Sequence, residues 1–208
     1  MVVVIIGNNE KGTVAVHDLI QKRWSPRDFS PRGVEREKLT AIFQAAQSTP
    51  SSFNEQPWAY IVAEKENPAD FERILNALAP RNQEWARHAP VLIVSLAKQN
   101  FEVDGRTNHH ALYDLGAASA HLTFQATALG LHVHQMGGFS REKIKEEFSV
   151  PQGFEPIAVL AVGYFDETKS LPAAIRKRKP VKDFVFESHW GISSQLTGIE
   201  DEKEFNFN

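Results

Sequence analysis

The sequence contains no cysteine among its 208 residues. This absence excludes disulfide bonds, thiolate metal sites and a cysteine nucleophile, and it suits a reducing compartment. An excess of one charge is missing as well, because 23 basic residues stand against 26 acidic ones and leave a net charge of −3. Nucleic acid is therefore not an expected partner, since its binding depends on clustered positive charge.

Long hydrophobic runs are also missing. The apolar stretches at residues 2–6 and 91–96 are far short of the roughly 20 residues that span a bilayer. The first residues lack the basic region and the small-residue cleavage site of a signal peptide. We therefore expect a cytoplasmic protein without a membrane partner.

Apolar residues recur with helical spacing in three places. The pattern i, i+3, i+4, i+7 predicts one helix face near residues 39–46 and a second near residues 71–78, after Pro68. A longer helix is predicted over residues 109–129, ending at Gly130. Its many small residues indicate that it packs closely against a sheet or another helix.

Continuous apolar runs of strand length alternate with these helices, at residues 59–63, 91–96 and 157–164. Such runs are typical of strands that are covered on both faces, so the pattern predicts a helix–sheet–helix sandwich. No repeat, low-complexity tract or long linker divides the chain. We expect one domain over residues 1–208, with an extended, basic C-terminal arm from about residue 166.

Two familiar kinds of site are poorly supported. Residues 7–13 have the glycine spacing of a phosphate-binding P-loop, but Thr13 stands where that motif needs lysine. No Gly-x-Gly-x-x-Gly or Gly-x-Ser-x-Gly motif occurs. The histidines have no carboxylate at metal-ligand spacing, so we expect no metal site among His109, His110, His121, His132 and His134.

A third pattern points to an anion. Arg23, Ser25 and Arg27 occupy alternate positions, so an extended backbone directs all three side chains to one side. Guanidinium groups are preferred partners of phosphate oxygens. Arg176 and Arg178 repeat the alternation far downstream, and the two clusters could close around one phosphate. Either cluster alone is more typical of a solvated surface patch.

Residues 48–58 form a loop rich in small and amide side chains between a predicted helix and a predicted strand. Asn54 and Gln56 offer both donors and acceptors, which suits the edge of a heteroaromatic ring. The turn Pro50-Ser51-Ser52 can lie flat beneath such a ring. Taken alone, the segment is an ordinary polar loop.

In this order, the pieces resemble the nitroreductase family of FMN-dependent oxidoreductases. Four motifs carry the resemblance between residues 23 and 180: Arg23-x-Ser25-x-Arg27-x-Phe29, Pro50-Ser51-Ser52-x-Asn54-x-Gln56-Pro57-Trp58, Leu129-Gly130-Leu131 with Met136-Gly137-Gly138-Phe139, and Arg176-x-Arg178-x-Pro180. Trp24 departs from the family pattern, in which a second arginine is frequent at this position.

The resemblance implies a role for each matched residue. Arg23, Ser25, Arg176 and Arg178 would hold the FMN phosphate, and Arg27 would approach the N1/C2-carbonyl side of the ring. Pro50, Ser51 and Ser52 would follow one ring face, and Asn54 would bind the pyrimidine edge. Main-chain N–H groups of Gly137 and Gly138 would approach N5 and O4. Gln56 and Met136 complete the expected cofactor-binding set, which contains no metal ligand and no catalytic acid or base.

The resemblance also implies a fold and an activity. The expected fold is an α/β (α+β) three-layer sandwich, assembled as an interlocked homodimer with two FMN sites. NADH or NADPH would pass hydride to flavin N5, and a small acceptor such as a nitroaromatic or a quinone would then take it in a ping-pong cycle. Two alternatives remain open: a flavoenzyme of the same fold acting on enones, aldehydes or halogenated substrates, and a non-catalytic flavin-binding module.

Overall fold

The computed structural model describes residues 16–169 and 178–195, which divide into two compact units after Lys169. Within residues 16–169, the first unit contains six α-helices and four strands. In chain order these are α1 (Asp18–Lys22), α2 (Arg36–Gln47), β1 (Trp58–Glu64), α3 (Pro68–Ala77), α4 (Pro80–Ala86), β2 (Val91–Lys98), α5 (Ala111–Ala128), β3 (His132–Met136), α6 (Arg141–Glu147) and β4 (Phe154–Gly163). The second unit holds a short 3₁₀ turn, Val181–Asp183, and a bridge between Phe186 and Ser193.

The four strands form one antiparallel sheet in the order β1-β2-β4-β3. Side chains alternate between its two faces, and each face is covered by helices. Leu92, Val94 and Val159 face the core built by α3, α4 and α6, whereas Ile93 and Leu160 face the core built by α2 and α5. The predicted three-layer sandwich is therefore confirmed, and the double cover explains why the strands read as continuous apolar runs.

The predicted helix ends are also confirmed. Pro68 occupies the first turn of α3, where its missing N–H removes no helical bond. Gly130 follows α5 with φ +76°, and the Leu131 N–H donates to the Ala126 carbonyl at 2.8 Å. This left-handed glycine closes the helix and turns the chain into β3.

Strand β3 and helices α4 and α6 were not predicted. β3 lies at the edge of the sheet and carries polar side chains at alternate positions, so it has no continuous apolar run. The two helices have seven residues each, which is too short for a clear helical period. Across the described residues, no helix is both long enough and apolar enough to cross a membrane.

Candidate functional site

Residues 23–26 alternate between outward and buried positions, and the chain bends at Arg27. Trp24 and Pro26 are buried, whereas Ser25 and Arg27 are exposed and Arg23 is half-buried. The predicted common side holds for Arg23 and Ser25, which line one cleft, whereas the side of Arg27 stays a prediction. The intervening side chains anchor the segment to the sheet and leave the polar ones facing outward.

Aromatic rings provide that anchorage. The Trp24 ring packs edge-on against His132, with centroids 5.4 Å apart, and against Phe165 at 5.1 Å. Trp24, the departure from the family pattern, is therefore a packing residue. His134 Nδ1 lies 2.8 Å from the Pro26 carbonyl oxygen, and because a carbonyl only accepts, Nδ1 carries the proton. Burial lowers the pKa of both histidines, and the nearby Arg23 charge lowers it further.

A cleft of about 290 Å³ opens beside this segment. It lies between α5 and β3, and its lining residues are Arg23, Ser25, Ala120, Thr123, Phe124, Val133 and Gln135. Arg23 Nη1 donates to Ser25 Oγ at 3.2 Å, and Gln135 Nε2 donates to Thr123 Oγ1 at 3.2 Å. A guanidinium beside hydroxyl groups is a suitable donor set for a phosphate. Arg27 is exposed but is not part of the lining.

The loop at residues 50–56 lies elsewhere, at the start of β1. Its backbone is left-handed at Phe53 (φ 54°), Asn54 (φ 56°) and Gln56 (φ 50°). Three non-glycine residues in this region within four positions indicate stored strain of the kind that is found at functional sites. Pro50, Asn54 and Gln56 are exposed, and Ser51 and Ser52 are half-buried. The loop therefore presents its polar groups outward.

Hydrogen bonds hold the loop in this shape. The Ser52 N–H donates to Asp114 Oδ2 at 3.1 Å, and the Gln56 N–H donates to Ser51 Oγ at 2.9 Å. Just before the loop, buried Thr49 Oγ1 lies 2.9 Å from His121 Nδ1. The two partners outside the loop segment, Asp114 and His121, both belong to α5. Helix α5 therefore supports the loop as well as the cleft.

The loop and the cleft use different sides of α5. Asp114 holds the loop and Thr123 lines the cleft, nine positions further along. At about 100° per residue, these two side chains leave the helix in opposite directions, and their positions differ by about 13 Å along the axis. Within residues 16–169, the loop at residues 50–56 and the cleft with Arg23 and Ser25 therefore do not form one continuous site.

The glycine pair follows β3. Gly137 and Gly138 are exposed. Within residues 16–169 and 178–195, their N–H groups donate to no protein acceptor. The Gly138 carbonyl accepts hydrogen bonds from the Ala79 N–H at 2.9 Å and from Asn82 Nδ2 at 3.2 Å, which fixes the pair against α4. Met136 is 4% exposed and belongs to the core, so only its main chain is available for a ligand.

The remaining predicted residues are distributed as follows. Arg178 is exposed in the second unit, whereas Arg176 and the P-loop-like residues 7–13 lie outside the described residues. In the part of the chain that is described, no cluster of histidine and acidic side chains could hold a metal ion. A second cleft of about 200 Å³ lies beside Glu64 and Pro90; its lining includes none of the predicted residues.

Sequence reasoning missed two residues that shape the site. Asp114 is 4% exposed and ties the ring loop to α5, and Glu55 connects the same loop to residues beyond β2. A signal for Asp114 existed, because a carboxylate inside a predicted buried helix needs a partner. For Glu55, which stands among polar loop residues, the local sequence offered no comparable signal.

Comparisons with known proteins agree with this architecture. The sequence model of the protein family named "Nitroreductase family" matches residues 20–164 of this chain. A crystal structure of an oxidoreductase containing FMN is 32% identical, with a TM-score of 0.80, and the match covers 90% of this chain and 98% of that one.

Two curated relatives extend the likeness. An uncharacterized 15.4 kDa protein of Mycolicibacterium smegmatis is 35% identical over 124 residues, which cover 56% of this chain and 82% of the relative. A protein of Methanothermobacter thermautotrophicus named "Putative NADH dehydrogenase/NAD(P)H nitroreductase" is 29% identical over 153 residues, or 72% of this chain and 76% of the relative. With the family model matching well over half of the sequence, the chain belongs to the nitroreductase family.

Proposed function

We propose that the protein is an FMN-dependent oxidoreductase that takes hydride from NADH or NADPH and delivers it to a small acceptor such as a nitroaromatic or a quinone. The observation that carries this proposal is the cleft between α5 and β3, in which Arg23 and Ser25 stand together. The similar oxidoreductase contains FMN, and the name of the Methanothermobacter relative includes NAD(P)H.

The cleft fits the phosphate end of a flavin nucleotide. Its volume of about 290 Å³ is at the lower limit of ligand pockets, which span about 300–1,000 Å³. It therefore has room for the phosphate and part of the attached chain, but not for a three-ring system in addition. Arg23 and Ser25 would bind the phosphate there, with Arg176 and Arg178 as further proposed contacts.

The ring-binding groups of this chain are exposed and preorganised. Asn54 would present its amide to the pyrimidine edge, with Gln56 beside it, and the turn Pro50-Ser51-Ser52 would support one ring face. The N–H groups of Gly137 and Gly138 would donate to the opposite edge, and Arg27 would stabilise negative charge near N1. When bound, the flavin supplies the two-electron chemistry, and the protein supplies orientation and electrostatics.

The two sides of α5 support a homodimer. Because the loop at residues 50–56 and the Arg23 cleft lie on opposite sides of this helix, we propose that the loop of a second copy completes the ring site. Helix α5 also presents an apolar outer surface: Leu112 is 55% exposed, Tyr113 is 78% exposed and Gly116 has no atom near its missing side chain. Gly116 would allow a second helix to approach closely.

The decisive experiment is the visible absorption spectrum of the purified protein with FMN, recorded without oxygen before and after addition of NADH or NADPH. Flavin bands that bleach with a nucleotide and recover when menadione or a nitroaromatic is added are the expected result. Parallel initial-velocity lines would support the ping-pong cycle, and intersecting lines would contradict it. A protein that takes up no FMN would overturn the proposal.

The same experiment separates the alternatives. Flavin bands that persist with both nucleotides would indicate a binding module. Bands that bleach but recover only with an enone, an aldehyde or a halogenated substrate would indicate a flavoenzyme of the same fold that reduces that class of substrate.

A further inference from the structure

A small hairpin stands between β2 and α5. Asn100 and Thr107 form its closing bridge, the Phe101 N–H donates to the Arg106 carbonyl at 2.8 Å, and the Gly105 N–H donates to the Phe101 carbonyl at 3.0 Å. Gly105 has φ +70°, which makes the tight turn possible. Residues 100–107 therefore hold their own shape.

Glu55 attaches this hairpin to the ring loop. Its Oε1 accepts a hydrogen bond from the main-chain N–H of Glu102 at 2.7 Å and lies 3.9 Å from Lys98 Nζ. The Glu55 side chain is only 12% exposed. Within residues 16–169, this is the one hydrogen bond that joins residues 101–106 to a segment outside residues 98–108. Hydrogen bonds to an ionised carboxylate are among the strong ones.

An aromatic pair forms beside this attachment. The rings of Phe53 and Phe101 meet edge to face, with centroids 5.8 Å apart and an interplanar angle of 83°. Phe53 is 89% exposed because its left-handed backbone directs the side chain outward. Its neighbours Ser52 and Asn54 are proposed ring contacts, so the aromatic pair stands where a planar acceptor would approach.

We propose that Glu55 is a positioning residue that fastens the hairpin so that Phe53 and Phe101 form a wall of the acceptor site. This wall selects planar aromatic acceptors, since aromatic rings favour offset or edge-to-face contacts with one another. Ferricyanide is an acceptor that does not need to bind in such a pocket, so its reduction does not depend on this wall. The inference rests on the proposed function and names the acceptor class of that same site.

The attachment is tested first by amide hydrogen exchange on the full chain purified with FMN. Glu55→Ala removes the acceptor of the Glu102 N–H, and amides of residues 100–107 are expected to exchange about tenfold faster. Glu55→Gln keeps an acceptor oxygen and should restore protection. Glu102→Ala is the matched control, because it removes an exposed carboxylate near Lys98 while leaving the main-chain N–H in place. Equal exchange in Glu55→Ala and the unsubstituted protein would overturn the attachment.

The role in selectivity is tested by kinetics with two acceptors. For Glu55→Ala, the KM for menadione is expected to rise about three- to tenfold, with kcat and KM for ferricyanide unchanged. Glu55→Gln and Glu102→Ala should keep the original ratio of the two KM values. An unchanged ratio in Glu55→Ala, or an equal rise for both acceptors, would overturn the inference.

Failure of the proposed function has a different signature. In that case the unsubstituted protein itself would reduce neither acceptor, whatever the exchange data show. A loss of selectivity confined to Glu55→Ala, in a protein that still bleaches and reoxidises normally, supports the positioning role alone.

Discussion

At the scale of single residues, Arg23 is the side chain on which the proposed phosphate site depends most. It pairs with Ser25 in the cleft, and a hydrogen bond from a guanidinium to phosphate contributes about 1.5–3 kcal/mol. Arg23→Ala is therefore expected to raise the Kd for FMN by about 10- to 150-fold, measured by quenching of flavin fluorescence. Arg141→Ala, which removes a charge on α6, is the control. An unchanged Kd in Arg23→Ala would remove this residue from the site.

The hydroxyl of Tyr164 stabilises the charged form of the Glu35 carboxylate. The hydroxyl donates to Glu35 Oε2 at 2.5 Å and accepts from Lys38 Nζ at 2.7 Å. The Tyr164 bond, assisted by Glu35's own backbone and by Arg32, lowers the pKa of Glu35 from 4.5 to about 2. A depressed carboxylate pKa stabilises the fold above the ordinary value, and that stabilisation is lost as the pH falls from about 4.5 towards 2.

Tyr164→Phe is therefore expected to lower the free energy of unfolding at pH 7, with a difference from the unsubstituted protein that shrinks between pH 4.5 and pH 2.5. Urea unfolding across this range measures the effect. Thr40→Val, which removes a hydroxyl at an exposed position of α2, should leave the pH dependence of stability unchanged. A difference independent of pH would show that the hydroxyl does not act through Glu35.

At the scale of elements, the end of β4 is packed so closely that it has no room for a side chain. A Cβ at Gly163 would lie 2.5 Å from Pro90 Cδ and 3.2 Å from Phe29 Cδ1. Gly163→Ala is expected to lower the free energy of unfolding by about 1–3 kcal/mol through overpacking, as measured by denaturant titration. Pro90→Ala removes the closest atoms, so the double variant should regain part of the loss. Strictly additive effects would show that the two residues do not compete for this space.

The helices and strands also differ in how clearly the local sequence predicts them. Helices α2, α3 and α5 carry long apolar periods, and β1, β2 and β4 carry continuous apolar runs, so local spacing identifies them. Within residues 16–169, strand β3 is an edge strand that pairs with β4 alone. In its sequence the polar His132 and His134 stand on either side of the buried Val133. Its place in the sheet depends on pairing with β4, which no local pattern encodes.

At the scale of the whole molecule, the proposed dimer predicts that cofactor binding requires assembly. Gly116→Arg places a bulky charge on the outer side of α5, where no other described segment comes within 4 Å of a Cβ at this position. Because arginine also favours a helix more than glycine does, the single chain should still fold. The variant is expected to be monomeric by light scattering and to lose FMN, while its circular dichroism is unchanged.

Asn76→Arg is the matched control, since it adds the same single charge at an exposed position of α3, which covers the other face of the sheet. It should keep the original mass and the original FMN content. If Gly116→Arg remained dimeric and bound FMN normally, the α5 surface would not be the interface. A monomer that binds FMN fully would show that one chain is sufficient for the site.

The sequence by itself determined the layers of the fold and the common side on which Arg23 and Ser25 lie. Both follow from periodicities of two and 3.6 residues, which act between near neighbours and are written in the order of the residues. The resemblance to the nitroreductase family likewise rests on short spacings within each motif. Each of these conclusions therefore survives without knowledge of how distant segments meet.

Only the tertiary structure decided how the motifs are arranged around α5. The buried Asp114 contact with Ser52, the Glu55 bond to the hairpin, and the opposite sides used by the loop and the cleft all join segments that are far apart in sequence. Such contacts depend on packing after the chain has folded, and many sequences with the same local patterns would form different ones. The physical reason is that spacing sets which way a side chain points, whereas the packed core sets what it meets.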